Sequence, residues 1–215
     1  MARIIAFIDG FNLYHSIARP RNFRHYKWLN LRKLIECFVT KSDEIKEVFY
    51  FTAYANWRPE SAARHKHYVR ALEFKKITPV VGQFKRRDKF CTLCRKTFDT
   101  HEEKETDVNI AVKLFQCAVD DLYDIAFVLS GDSDLVPAIR GVKESYPHKK
   151  IKVIVPPGIY AENLKQISDG AMKLKEKHLK SSQLEDPVHI DGADLFCPPE
   201  WKQTSNPKKS SFPSA

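Results

Sequence analysis

The stretch Arg3-Ile4-Ile5-Ala6-Phe7-Ile8-Asp9-Gly10-Phe11-Asn12 decides how the rest of the chain is read. Residues 4–8 are apolar at every position, which suits a strand buried on both faces rather than one with a wet side. Asp9-Gly10 ends the run with turn chemistry. Four more runs of strand length follow, at 47–55 (Val48, Tyr50, Thr52, Tyr54), 78–84, 124–129 and 151–155. Helical periodicity fills the gaps. It covers 29–38 through Leu31, Leu34, Ile35 and Phe38, and 59–75 through Ala62, Val69 and Leu72. The clearest case is 107–122, where Val108, Ala111, Val112, Phe115, Val119 and Leu122 recur and Thr106 is placed to cap. Residues 134–145 follow the fourth strand, with Pro137 in a first turn that tolerates it. Strand and helix alternating in this order predict an α/β fold with a five-stranded parallel sheet and helices on both faces.

The 215 residues allow one domain with a tail. We place the domain at 1–180, ending in a basic helix over 171–179. Residues 181–215 read as a tail, docked in part through Leu195, Phe196 and Trp201, with disorder expected from Thr204. The longest apolar runs, 4–8 and 125–129, are five residues each, against about 18–20 for a membrane span. No secretory leader is expected from the first residues, so a cytoplasmic protein is expected, with five cysteines as thiols or metal ligands.

Charge is concentrated. Between Arg64 and Lys96 eleven basic residues face two acidic ones, an excess equal to the chain's net +9. Such a block is an electrostatic footprint for phosphates. Arg64, Lys85, Arg86, Arg87 and Lys89, together with Lys104, are the candidate RNA contacts, and the interleaved His65, His67, Tyr68 and Phe90 offer stacking surfaces.

Against this stands an acidic constellation. Asp9 ends the first strand, Asp132 ends the fourth within Ser130-Gly131-Asp132-Ser133-Asp134, and Asp107 opens the amphipathic helix. Ligands of open α/β sheets bind outside the carboxyl ends of the strands. One such Asp alone is ordinary turn or cap chemistry. Three on one rim repel each other and are most simply explained by a hard divalent cation, Mg²⁺ or Mn²⁺. Asn12 and Asp134 lie beside them, and Ser130 and Ser133 supply hydroxyls and turn amides suited to a phosphate.

Three segments together resemble the motifs of NYN-domain proteins, a branch of the PIN-like nucleases. They are Ile5-Ala6-Phe7-Ile8-Asp9-Gly10-Phe11-Asn12-Leu13-Tyr14, Lys104-Glu105-Thr106-Asp107-Val108-Asn109 and Leu129-Ser130-Gly131-Asp132-Ser133-Asp134-Leu135. The resemblance spans about residues 2–168. It implies a Rossmann-like three-layer fold with strand order 3-2-1-4-5. It also implies a metal-dependent ribonuclease site in which Asp9, Asp107 and Asp132 carry the ion and Asn12 and Asp134 assist. An insert near 85–104 holds Cys91-x-x-Cys94, with His101 seven residues on, and part of the family has such an insert. That spacing is half a zinc site. Cys197, His65, His67, Glu102 or a second chain are the candidate fourth ligands, which leaves a homodimer or a protein partner open beside a bare thiol pair. The expected function is hydrolysis of RNA phosphodiesters without membrane association. The alternative is a non-catalytic RNA-binding or regulatory interaction module of the same fold.

Overall fold

A computed structural model describes residues 1–20, 22–190 and 192–202. The region from Thr204 for which disorder was expected lies outside these residues. In chain order the elements begin β1 (Arg3–Asp9), α1 (Gly10–Ala18), α2 (Leu31–Glu36), β2 (Glu44–Thr52), α3 (Pro59–Phe74) and β3 (Thr78–Val81). They continue β4 (Gln83–Phe90), β5 (Thr97–Lys104), α4 (Thr106–Val119), β6 (Ile125–Leu129), α5 (Val136–Ser145) and β7 (Lys150–Val155). The last are α6 (Glu162–Ile167), β8 (Gly170–Lys173), α7 (Glu176–Ser181), β9 (Val188–Ile190) and β10 (Ala193–Leu195).

The main sheet is parallel throughout, in the order β3-β2-β1-β6-β7-β8. β1 lies at its centre, between β2 and β6. Its alternation sorts the core into two layers. Ile4, Ala6 and Ile8 join Leu13, Leu34, Val69 and Leu72 from α1–α3 on one face. Ile5 and Phe7 join Ile110, Leu114, Ile139 and Leu164 from α4–α6 on the other. The all-apolar run therefore feeds two cores at once.

Three expectations are corrected. The sheet has six strands, because residues 170–173, read as the start of a basic helix, pair with β7 and extend the edge. The run at 78–84 is two strands. β3 stays in the sheet, while β4 departs at Gly82 and forms an antiparallel hairpin with β5. Thr106 is the first residue of α4 rather than its cap. Glu105 holds the cap position at φ 79°, and the Glu103 carboxylate accepts from Thr106 N–H at 3.0 Å.

The segment after α7 closes one face. Leu184, Val188, Leu195, Cys197 and Trp201 are buried in the β1-centred core, and Trp201 packs against Trp28 and Tyr68. Phe196 stays exposed, lending only its carbonyl to His67 at 2.8 Å. No described helix is long and apolar enough to cross a membrane.

Candidate active site

The carboxyl ends of β1 and β6 meet where Ile8 pairs with Leu129. Asp9 therefore emerges beside Ser130. Asp9 is 3% exposed and caps α1: one oxygen accepts Asn12 N–H at 2.9 Å and the other accepts the Ser130 hydroxyl at 2.8 Å. Burial raises the Asp9 pKa, and these two donors oppose the rise. Gly10 and Gly131 are needed for close approach. A Cβ on Gly10 would lie 2.5 Å from the Phe51 carbonyl, and one on Gly131 would collide with Ile159.

The second loop is tied to the first. Asn12 Oδ1 accepts Gly131 N–H at 3.1 Å, and Ser130 Oγ accepts Asp132 N–H at 3.1 Å. Asp132 accepts Asp134 N–H at 2.9 Å through one carboxylate oxygen. Asp107, on the first turn of α4, completes the trio. Asp9, Asp107 and Asp132 line one cavity of about 330 Å³ together with Glu103, which sequence reasoning missed. Asp107 is pushed up to about 6, first by burial and then by Asp9, Asp132, Glu103 and Asp134. Arg19 and His15 also line this cavity. Arg19 forms no ion pair with these acids among the described residues. Burial, then Arg19, holds the His15 pKa down.

The donors are hard oxygens, as Mg²⁺ or Mn²⁺ requires. Among the described residues no three Asp, Glu, His or Cys side chains converge closely enough to cage an ion unaided. This suits a cation that keeps most of its water and takes one or two carboxylates directly.

The other candidates sort differently. Ser130 is fully buried and serves Asp9, so it does not reach a phosphate directly; Ser133 is exposed. Asp134 is exposed beside the cavity. The basic block divides between α3 and its end, which hold Arg64 to Lys76, and the β4–β5 hairpin, which holds Lys85 to Lys96 and whose returning strand brings its own acids. Arg86 pairs with Asp99 at 2.7 Å, while Glu102 pairs with Lys89 at 3.0 Å, Lys104 at 3.3 Å and Arg87 at 3.5 Å. Lys85 pairs with no acid among the described residues. Arg64 is held by Glu200 at 3.1 Å. The hairpin register and the pleat put Lys85, Arg87, Lys89 and Lys104 on one face around Glu102, and Phe84, His101 and Glu103 on the face turned to the body.

Cys91 and Cys94 sit together at the hairpin tip, where Cys94 lowers the Cys91 thiol pKa by hydrogen bonding. His101 does not join them. It pairs with Arg86, four residues back along β5 from the Phe90–Thr97 pair that closes the hairpin, roughly 13 Å at strand rise. There it stacks on Trp57 at 3.8 Å. Of the proposed fourth ligands, Cys197 is buried in the core, and His65, His67 and Glu102 are engaged elsewhere.

The NYN domain model matches residues 3–175. The chain belongs to the NYN domain family. Within this NYN domain the matched span holds the whole carboxylate cavity and the hairpin. 6-Hydroxy-3-succinoylpyridine 3-monooxygenase HspA of Pseudomonas putida is 26% identical, over 70% of this chain and 58% of that protein, so the chain spans under two thirds of that relative's length. A crystal structure of a protein of unknown function from Vibrio parahaemolyticus shares the fold, with a TM-score of 0.60 and 17% identity over 85% of this chain and 96% of that one.

Proposed function

We propose that this NYN domain is a divalent-metal-dependent ribonuclease. The observation that carries the reading is the convergence of Asp9, Asp107, Asp132 and Glu103, from β1, α4, the β6 loop and β5, on one cavity at the carboxyl edge of the sheet. Of Asp9, Asp107 and Asp132, one or two would hold the ion directly and the rest through its water. When bound, it supplies a water of lowered pKa and neutralises charge on the reacting phosphodiester. Ser130 and the Asn12 amide fix the orientation of Asp9. Arg19, at the cavity, and the Lys85–Lys89 face of the hairpin grip phosphates. The hairpin's exposed ion pairs are worth little each and exchange readily for phosphate.

The oxygenation named for the Pseudomonas relative fits this cavity less well. A non-haem iron oxygenase site takes two His and one carboxylate, whereas one His and four carboxylates line this one.

The test is cleavage of labelled single-stranded and structured RNA with EDTA, Mg²⁺ or Mn²⁺. Asp9→Asn and Asp132→Asn should each lose at least about 100-fold in rate, more than positioning residues usually cost, while still binding RNA. A wild type that binds RNA and cuts nothing under either metal would replace the nuclease with the binding module.

A further inference from the structure

A second cavity of about 400 Å³ opens beside the acidic one and shares Phe11 and His15 with it as a common wall. Its volume lies in the range of ligand pockets, roughly 300–1,000 Å³. Its sides are aromatic. The Phe84 ring meets Trp57 edge-on at 4.6 Å and Phe11 edge-on at 5.5 Å. Trp57 is stacked on His101 at an interplanar angle of 9°, yet keeps 38% exposure, so part of the indole faces the opening. The hairpin thus does more than carry charge: its body-facing side builds this wall.

The floor is polar. Thr52 Oγ1 lies 3.2 Å and Tyr50 Oη 3.4 Å from His65 Nε2. Thr52 and Tyr50 are almost wholly buried, and their side chains also hydrogen-bond each other. Burial lowers the His65 pKa to about 4, so its ring is neutral at pH 7, with one donor and one acceptor nitrogen. His65 Nδ1 has no hydrogen-bond partner among the described residues. Flat aromatic sides over a floor of mixed donors and acceptors suit a planar heteroaromatic ring with a hydrogen-bonding edge. The shared Phe11–His15 wall puts such a ring next to the carboxylates.

We propose that this cavity is a base-binding subsite: it takes the base of one RNA nucleotide against the exposed part of Trp57, with Phe84 and Phe11 forming the side wall and the edge read by Thr52, Tyr50 and His65. The adjoining phosphate then faces Asp9 and Asp132. The choice of an RNA base over a free heterocycle rests on the ribonuclease reading; the shape and chemistry of the cavity do not.

The experiment uses the full chain in EDTA, so that nothing is cut. Binding of a labelled eight-nucleotide single-stranded RNA is measured by anisotropy, with an abasic site moved through each position in turn. In the wild type one position should stand out, with about a 10-fold loss, the scale of one lost stacking platform. Trp57→Ala should weaken the intact oligomer by a similar factor, and the abasic site at that position should then cost nothing more. Trp57 is partly exposed, so this variant keeps the fold. Thr52→Val, as a second variant, should alter the base preferred there. A flat abasic scan, an abasic penalty undiminished in Trp57→Ala, or no binding of the oligomer overturns the proposal. Quenching of tryptophan fluorescence by free nucleoside 5′-monophosphates together with a flat scan also overturns it, and gives the cavity to a free heteroaromatic ligand. Absence of cleavage under any metal, with the positional effect intact, removes the ribonuclease reading and leaves the subsite standing.

Discussion

The two ends of β1 and β6 carry the same kind of residue and treat it in opposite ways. At the amino ends, Arg3 holds Asp124 at 2.7 Å and Asp121 at 3.1 Å, and the buried Lys149 reaches Asp121 at 2.7 Å. Asp124 is driven down to about 2, chiefly by the Arg3 side chain. At the carboxyl ends, five to seven residues along the same strands, carboxylates face carboxylates, and Asp107 rises to about 6. One end is paired and stabilises the fold. The other is a concentration of like charge that the fold tolerates, and that cost marks it as the candidate site.

Variants at each end sharpen the contrast. Apart from the carboxylates themselves, the largest effect is expected at Ser130. Ser130→Ala removes the hydroxyl that fixes Asp9 without removing a carboxylate, and should cost about 10–100-fold in cleavage or metal affinity. A raised half-saturating Mg²⁺ concentration with unchanged RNA binding identifies it as a positioning residue; an unchanged metal response would break the comparison. Next is Asp121→Asn, which removes the countercharge of the buried Lys149 and leaves its ammonium only neutral acceptors, the Tyr123 carbonyl at 2.7 Å among them. The expected result is a lowered Tm, read by thermal unfolding. Asp107→Asn should act with the opposite sign. Its folded pKa lies above the unfolded value, so the native state binds more protons and stability falls as pH rises from about 4 to 6. Asp107 is half-exposed, so after solvent screening the cost above pH 6 is about 1 kcal/mol. Removing it should raise Tm by about 2–4 °C at pH 8 in EDTA, and by almost nothing at pH 4. Asp124 works the other way: its stabilisation is present above about pH 4 and fades toward pH 2.

The candidate site is the more legible end. Strand-end logic located Asp9 and Asp132 because an all-apolar run, an Asp and a Gly together specify where a buried strand stops. The hairpin was hidden. The apolar character of Thr78 to Phe84 conceals a change of sheet at Gly82, and β4 is too polar to show strand periodicity. Counting charge only as far as Lys96 then overstated the footprint, since Asp99, Glu102 and Glu103 fold back against it. Spacing linked His101 to Cys94, but in an antiparallel ribbon residues on the returning strand move away from the tip. Glu103 was recoverable only from the pleat, which turns it to the same side as Phe84. β8 escaped because four residues beside a basic helical pattern carry too little signal to separate strand from helix. The aromatic cavity assembles from Tyr50, Trp57, His65 and Phe84, contributed by β2, α3, β4 and the β2–α3 connection, and no local pattern joins them.

The hairpin leaves the body at Gly82 and returns at Lys104, and these two points touch: a Cβ added to Gly82 would lie 2.9 Å from the Lys104 carbonyl. Its two roots are therefore neighbours whatever the length between them. Chain can be added to or taken from the tip without changing the register of β3 or the start of α4, and the entropic cost grows only slowly with length. The arm is a module on a fixed hinge pair. Its reach can change by insertion or deletion while Glu103 and Phe84, at its base, stay with the cavities they line.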